Sequence, residues 1–184
     1  MQLSLRLAAI SKMVHGGNRL VDVGCDHGYL PVYLVLNKKI PSAIAMDVRK
    51  GPLLRAKEHV QQYGVSDYIE LRLSDGLSAL KAGEGDTLVI AGMGGPLMER
   101  ILTEGKQVLD SFQELILQPQ SDVCHFRHFI REQGWEIREE ELILEDGKFY
   151  PMMRVTRSIE GCVPWTKEEE AFGKFLLEAR HPVL

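Results

Sequence analysis

The strongest constraint on this chain is a rhythm. Short apolar runs end at a glycine or an aspartate, and a stretch with helical spacing follows each one. "RLVDVG" ends at Gly24 and leads into "YLPVYLVLNKK", where Pro31 falls within the first helical turn and is tolerated there. "SAIAMD" ends at Asp47 and leads into "GPLLRAKEHVQQYG", with Pro52 near its start and Gly64 past its end. "YIELRLSD" ends at Asp75-Gly76, and a short helix is expected over "GLSALK". "DTLVIAGMGG" precedes the helix "PLMERILTEGKQVL", and "ELILQPQ" precedes "DVCHFRHFIREQGW". Runs such as "TLVIA" and "ELILQ" do not alternate apolar with polar, which fits strands covered on both faces. The pattern predicts an α/β chain with a parallel, doubly wound sheet.

The end of the chain departs from this rhythm. "EIREEELILEDGKFYPMMRVTR" reads as two strands joined at Asp146-Gly147, a dipeptide suited to the tight turn of a hairpin. A tight hairpin forces antiparallel pairing, so the sheet closes with a late antiparallel strand, unlike the dinucleotide-binding sheet, whose sixth strand is parallel. Ahead of the rhythm, "LSLRLAAISKMV" places Leu3, Leu7, Ile10 and Val14 at helical spacing and stops at Gly16-Gly17. Behind it, Thr166 and Glu169 form a capping-box pair for a helix with Phe172, Phe175 and Leu176 on its apolar face. That helix has no counterpart in the strand–helix pattern, and the chain reads as truncated within a further helical element.

With 184 residues, 45% hydrophobic and 26% charged, the composition is that of one soluble globular domain. No apolar run approaches the roughly 20 residues of a membrane span, and the N-terminus mixes charge with apolar residues instead of forming a secretory core. A cytoplasmic location is the default expectation. Cys25, Cys124 and Cys162 are odd in number, widely spaced and never in a C-x-x-C pair, so neither a disulfide framework nor a cysteine-rich zinc site is indicated. A net charge of −4 argues against a chain that by itself grips a long stretch of nucleic acid through phosphates. Yet Lys38, Lys39, Arg49, Lys50, Arg55 and Lys57 crowd one short window. They form either a solvated basic face or a polyanion contact.

Ligands of open α/β sheets bind outside the carboxyl ends of the strands, so the loops after successive strands belong together. In "DVGCDHGYL" the spacing is Gly24-x-x-x-Gly28, and Asp26 stands where a dinucleotide fingerprint needs its middle glycine. A carboxylate there repels a pyrophosphate. It suits a ligand with a cationic or amino-acid head, and S-adenosylmethionine carries a sulfonium, an ammonium and no phosphate. Asp47, about 20 residues on, is placed to accept both ribose hydroxyls. Asp75 can accept a hydrogen bond from an adenine N6 amine, with Gly76 admitting the ring. Taken singly, each aspartate is an ordinary helix cap or turn former; three at the ends of successive strands weaken that reading. Cys25 sits where a helix start would activate a thiol, but neighbouring Asp26 and the lack of a base leave it a packing residue. Cys124 and His128 of "CHFRH" share a helix face with no fourth ligand in sight, so no metal site is expected.

In this order and spacing, "DVGCDHGYLP", "AMDVRKGPL", "LSDGLSAL", "IAGMGG" and "LILQPQ" resemble the bacterial tRNA adenine-N1 methyltransferase family that modifies adenosine 22 (TrmK). The resemblance covers essentially all of Leu3 to Arg157. The chain departs from the family in having Cys25 for a serine, Gly28 where alanine is common, Asp47 where glutamate can occur, and Gln120 where asparagine is frequent. None removes a needed functional group, though Gln120 adds a methylene to any base contact. The resemblance implies a Rossmann-like class I methyltransferase fold, with a mostly parallel seven-stranded sheet and a late antiparallel hairpin strand. It implies S-adenosyl-L-methionine as cofactor, leaving as S-adenosyl-L-homocysteine, with no metal, and tRNA as partner with no obligate protein partner evident. Residues 1–157 become the cofactor-binding catalytic domain with its short N-terminal helix. Residues 158–184 become the truncated start of the family's helical, coiled-coil-like C-terminal domain, which helps grip tRNA. The expected cofactor-binding residues are Asp22, Gly24, Gly28, Tyr29, Asp47, Val48, Asp75, Gly76, Gly92, Met93 and Gly94.

Adenine N1 carries an in-plane lone pair and is itself the nucleophile, so positioning carries the chemistry. Asp26 is the expected catalytic group, stabilising the positive charge of the methylated base or accepting a proton, with His27 orienting it or touching the base. N1 lies on the Watson–Crick edge, so the base must be unpaired or flipped. After the fourth strand, "AGMGG" stands where amino-methyltransferases keep an Asn/Asp-Pro-Pro-aromatic motif that clasps an exocyclic amine, which favours attack by a ring nitrogen. Tyr29, Gly95, Gln118 and Gln120 are the expected substrate contacts: the glutamines at the base edge, Tyr29 stacking on it or else covering the glycine turn. Two other functions stay open on sequence grounds. One is a nicotinamide-dependent oxidoreductase, disfavoured by Asp26 and by the hairpin; the other is a cofactor-binding RNA module without activity.

Overall fold

The computed structural model describes residues 1–184. The strands are β1 (Leu20–Val23), β2 (Ala43–Asp47), β3 (Ile69–Leu73), β4 (Thr87–Met93), β5 (Glu114–Pro119), β6 (Trp135–Glu145) and β7 (Lys148–Arg157). They form one sheet of order β3-β2-β1-β4-β5-β7-β6. The first five pair in parallel, and β7 runs antiparallel to both β5 and β6. Asp146 and Gly147 close the hairpin with φ of 51° and 73°, the left-handed pair that a two-residue turn needs to match the strand twist.

β1, β2 and β5 are buried at every position, as their apolar runs require. Alternation sends Leu88, Ile90, Leu115 and Leu117 to one face of the sheet and Val89 and Ile116 to the other, giving two cores. On one side pack α1 (Leu5–Met13), α2 (Tyr29–Leu36) and α3 (Lys50–Gln62); on the other pack α4 (Gly95–Glu104), α5 (Lys106–Leu109) and α6 (Val123–Glu132). No helix is long and apolar enough to cross a membrane.

Three local expectations are corrected. The stretch "GLSALK" is a run of turns, not a helix. Gly76 has φ 55°, and the Ser74 hydroxyl donates to the Gly76 carbonyl at 2.9 Å and accepts from the Ala79 amide at 3.1 Å, while Leu77 and Leu80 are buried. The helix after β4 breaks into α4 and α5 at Gly105, where a Cβ would come within 2.4 Å of Leu77. The C-terminal helix is two short ones, α7 (Lys167–Phe172) and α8 (Lys174–Glu178), and it is not idle. The capping box at Thr166 forms, but Phe172 faces solvent while Leu176 is buried against the domain. Beneath these helices Arg127 and Glu140 form a buried ion pair at 2.7 Å. The Arg127 guanidinium also donates to the Glu170 and Ala171 carbonyls, and Glu140 accepts from the Phe175 amide. Gly173 divides the helices because a Cβ there would lie 2.8 Å from the Glu140 carboxylate.

Candidate active site

β1 and β4 are neighbours although two strands separate them in the chain, so the connections diverge at this point and open a crevice at the strand carboxyl ends. A cavity of ≈ 680 Å³ occupies it, a volume suited to a small-molecule ligand. The glycine loop after β1, Asp47-Val48-Arg49 at the end of β2, Ser74-Asp75-Gly76 after β3 and Ala91-Gly92-Met93 at the end of β4 all line it. Of the sequence-predicted residues, Asp22, Gly24, Asp26, His27, Tyr29, Asp47, Val48, Asp75, Gly76, Gly92 and Met93 meet here.

Asp22 is buried on β1, and burial pushes its carboxyl up to about 7 against the opposing pull of the Arg6 charge. Gly24 has φ 73°, a backbone conformation that favours glycine, and a Cβ on it would meet the tip of the Met93 side chain at the end of β4 at 2.3 Å. Asp26 also takes a left-handed φ, 51°. Its carboxylate is 64% exposed at the cavity rim, 3.4 Å from His27 Nε2, and its amide donates to Asp47 Oδ2 at 3.4 Å. Asp47 is buried and accepts from the Arg49 amide at 2.9 Å; Asp75 is exposed and pairs with Arg100 at 3.2 Å. Cys25 is buried and burial pushes its thiol up, away from the reactive thiolate.

Tyr29 is held in a stack on the rim. Its ring lies 5.5 Å from His27 at an interplanar angle of 8°, and 4.7 Å from His59 of α3. His59 Nδ1 donates to the His27 carbonyl at 2.8 Å, which fixes the stack to α3.

Five predicted residues fall outside the cavity lining. Gly28 packs against α3, where a Cβ would come within 3.2 Å of Ala56. Gly94 and Gly95 let the start of α4 approach the loop after β5: a Cβ on Gly94 would lie 3.0 Å from Ser121 Oγ, and one on Gly95 2.6 Å from the Ser121 carbonyl. Gln118 is fully buried and its amide is committed. At Gly92 the β4–β5 register shifts, and Gln118 Oε1 accepts the Gly92 amide at 3.1 Å, restoring a bond the ladder lacks. Gln120 Nε2 donates to the same oxygen at 3.0 Å. Gln118 thus braces the wall of the site, and Gln120, exposed beside it, holds Gln118 through its amide nitrogen. The sequence reading missed Arg6 and Leu7 of α1, Arg49, and Leu97, Arg100 and Ile101 of α4. The α4 trio is signalled by its helical spacing after the fourth strand; Arg6 lies outside the strand–helix rhythm and no motif points to it.

Away from the cavity, His125 Nδ1 lies 3.1 Å from Glu99, and His128 lies 3.1 Å from Glu132 and 3.0 Å from Glu170, so the "CHFRH" histidines face carboxylates on the surface. Among the basic window, Lys39 is tied to the end of α1 through the Ser11 and Lys12 carbonyls.

A methyltransferase domain family matches residues 3–153. The tRNA (adenine(22)-N(1))-methyltransferase of Bacillus subtilis (strain 168) is 40% identical over 153 residues, 83% of this chain; the chain spans 64% of that protein's length. The crystal structure of the B. subtilis M1A22 tRNA methyltransferase TrmK superposes with a TM-score of 0.88 at 35% identity, covering 99% of this chain and 79% of that one. Sp1610 of Streptococcus pneumoniae, solved in complex with S-adenosyl-L-methionine, superposes with a TM-score of 0.94 at 37% identity, covering 99% of this chain and 84% of that one. The match in sequence and the agreement in fold concern the segments that build the cavity, and the chain therefore belongs to the methyltransferase domain family and, within it, to the tRNA (m1A22) methyltransferases.

Proposed function

We propose that this chain is an S-adenosylmethionine-dependent methyltransferase that acts on N1 of adenosine 22 in tRNA. The observation that carries the reading is a row of three carboxylates, Asp22, Asp47 and Asp75, at the ends of three adjacent strands along one cavity. The glycine loop beside them presents the Asp26 carboxylate, not an open amide cradle, so the site suits a cationic amino-acid ligand better than a pyrophosphate. That S-adenosyl-L-methionine is bound by Sp1610, so similar in fold, supports the same choice.

In this reading Asp47 holds the ribose hydroxyls, Asp75 receives the adenine amine, and Asp22 and Gly24 face the methionine end. The bound cofactor supplies an electrophilic methyl group on a sulfonium. What this chain adds is position and electrostatics. Asp26, exposed beside His27, offsets the charge that appears on the methylated adenine, and Tyr29 on the rim offers a stacking face to an unpaired base. Met93 and the glycines after β4 supply a wall without the polar clasp that an exocyclic amine requires, which leaves the ring nitrogen as nucleophile. Residues 1–157 act as the catalytic domain, and 158–184 as the root of a helical extension that engages tRNA. A cytoplasmic location goes with a tRNA substrate.

Isothermal titration calorimetry tests the cofactor class. S-adenosylhomocysteine is expected to bind and NAD to give no heat of binding; binding of NAD alone would replace this reading with the oxidoreductase one.

A further inference from the structure

We infer that Gln120, just past the end of β5, selects the target base: its amide oxygen accepts a hydrogen bond from the exocyclic N6 amine of the adenine whose N1 is methylated. The inference rests on the methyltransferase reading above and names the group that tells adenine from guanine.

A set of obligatory donors fixes which atom of the Gln120 amide faces outward. The Gly92 N–H donates to Gln118 Oε1 at 3.1 Å, and the Arg6 guanidinium donates to it at 3.4 Å. Neither group can accept, so the atom they share is an oxygen. The Gln120 side chain meets that oxygen at 3.0 Å and can do so only through its amide nitrogen. A flipped Gln120 would set two carbonyl oxygens against each other. Its own oxygen therefore lies on the far side of the amide and accepts from no group of the protein, on a side chain that is exposed where Gln118 is fully buried.

The backbone holds this acceptor against the cavity wall. The Gln120 N–H donates to the Met93 carbonyl at 2.8 Å, and the Gly95 N–H meets the Ser121 carbonyl and hydroxyl at 3.2 Å each. The loop after β5 is thus tied to the end of β4, where Gly92 and Met93 line the cavity. Gln120 stands outside that lining, on the side of β4 away from β1, β2 and β3. In the reading above the cofactor lies over the ends of those three strands, with its methionine end at β1. The nucleophile must reach the methyl carbon from the side opposite the sulfur, so the base comes from beyond the cofactor's own contacts. An acceptor fixed beside Met93 and outside the lining is placed for the second reactant, not for the first.

The chemistry of the base edge fits one acceptor. Adenine presents the N6 amine, a donor, beside N1; guanine presents the O6 oxygen there, which an amide oxygen repels. A single acceptor in the ring plane also keeps the amine flat, with its lone pair delocalised into the ring in support of N1 as nucleophile. As N1 takes the methyl group, positive charge spreads to N6 and its N–H groups become stronger donors. The bond to Gln120 therefore tightens toward the transition state.

The test pairs two side chains with two tRNAs, one carrying adenosine at position 22 and one carrying purine riboside, which keeps N1 and lacks the N6 amine. Gln120→Met keeps the length of the side chain and removes the amide. It is expected to lower kcat/KM for the adenosine tRNA about 10- to 100-fold, the scale of a hydrogen bond to a charged group, and to leave the purine tRNA within about twofold. Dissociation constants of the two tRNAs, measured with S-adenosylhomocysteine bound, need no turnover and are expected to show a loss for the adenosine tRNA alone. Equal losses with both tRNAs would show a structural role and overturn the inference, as would no loss with either. Weakened S-adenosylhomocysteine binding by the variant, read by calorimetry, would place Gln120 in the cofactor's wall and overturn it as well. If the unaltered protein transfers no methyl group to the adenosine tRNA, it is the methyltransferase reading that falls.

Discussion

Asp22 is the residue whose chemistry the fold changes most. Its carboxyl, raised to about 7 by burial, keeps its proton in the folded chain over a pH range where the unfolded chain has lost it. The folded state then binds more protons, so this group's contribution to stability falls as pH rises from the unfolded value near 3.8 through about 7. A bound ammonium reverses the preference, since it favours the ionised form. S-adenosylhomocysteine affinity is therefore expected to rise about tenfold between pH 5.5 and 7, as the ionised fraction of Asp22 grows, and Asp22→Asn to flatten that profile. Calorimetry at a series of pH values checks this; an equally steep profile in the variant would assign the effect to another group. Asp26, by contrast, is exposed at the rim, where its carboxylate faces His27 and only its amide reaches Asp47. Asp26→Ala is expected to keep cofactor affinity within about threefold and to lower methyl transfer to tRNA by 10²-fold or more, the range of general acid–base and charge-stabilising groups. Retained turnover would remove Asp26 from its role. At this scale the sequence was legible where a residue's position follows from its strand: Asp22, Asp47 and Asp75 meet in one cavity because each ends a parallel strand. It was not legible for Gln118, whose partner is created by the register shift at Gly92, or for Arg6, brought in by a helix that only tertiary packing places.

Among the elements, the strands and the hairpin were readable because burial on both faces and a two-residue turn leave local marks in the sequence. Breaks in helices were not, because they depend on what lies beside them: Leu77 beside Gly105, and the Arg127–Glu140 pair beneath Gly173. That pair gives the C-terminal helices their anchor. Both side chains are almost wholly buried, and burial already pushes the Glu140 carboxyl up. Arg127→Met would leave a buried carboxylate without its cation and the Glu170 and Ala171 carbonyls without their donor. The expected loss is about 3–5 kcal/mol in urea unfolding, with faster tryptic cleavage after Lys167 and Lys174. A loss below about 1 kcal/mol would show that the pair does not hold this segment.

For the molecule as a whole, the sheet order places the crevice between β1 and β4, and the loops that line it lie at the carboxyl ends of the parallel strands. The opposite edge carries matched ion pairs instead, such as Arg72 with Glu70 and Glu84, and Arg19 with Asp86. The net charge of −4 is compatible with a cavity built around carboxylates. The most direct measurement is methyl transfer by the full-length protein from S-adenosylmethionine to a transcribed tRNA carrying adenosine at position 22, with the product nucleoside identified by mass spectrometry and mapped by reverse-transcription arrest. The expected result is 1-methyladenosine at position 22, and no incorporation when that adenosine is replaced by guanosine. N6-methyladenosine, or methylation that survives the replacement, would contradict the account.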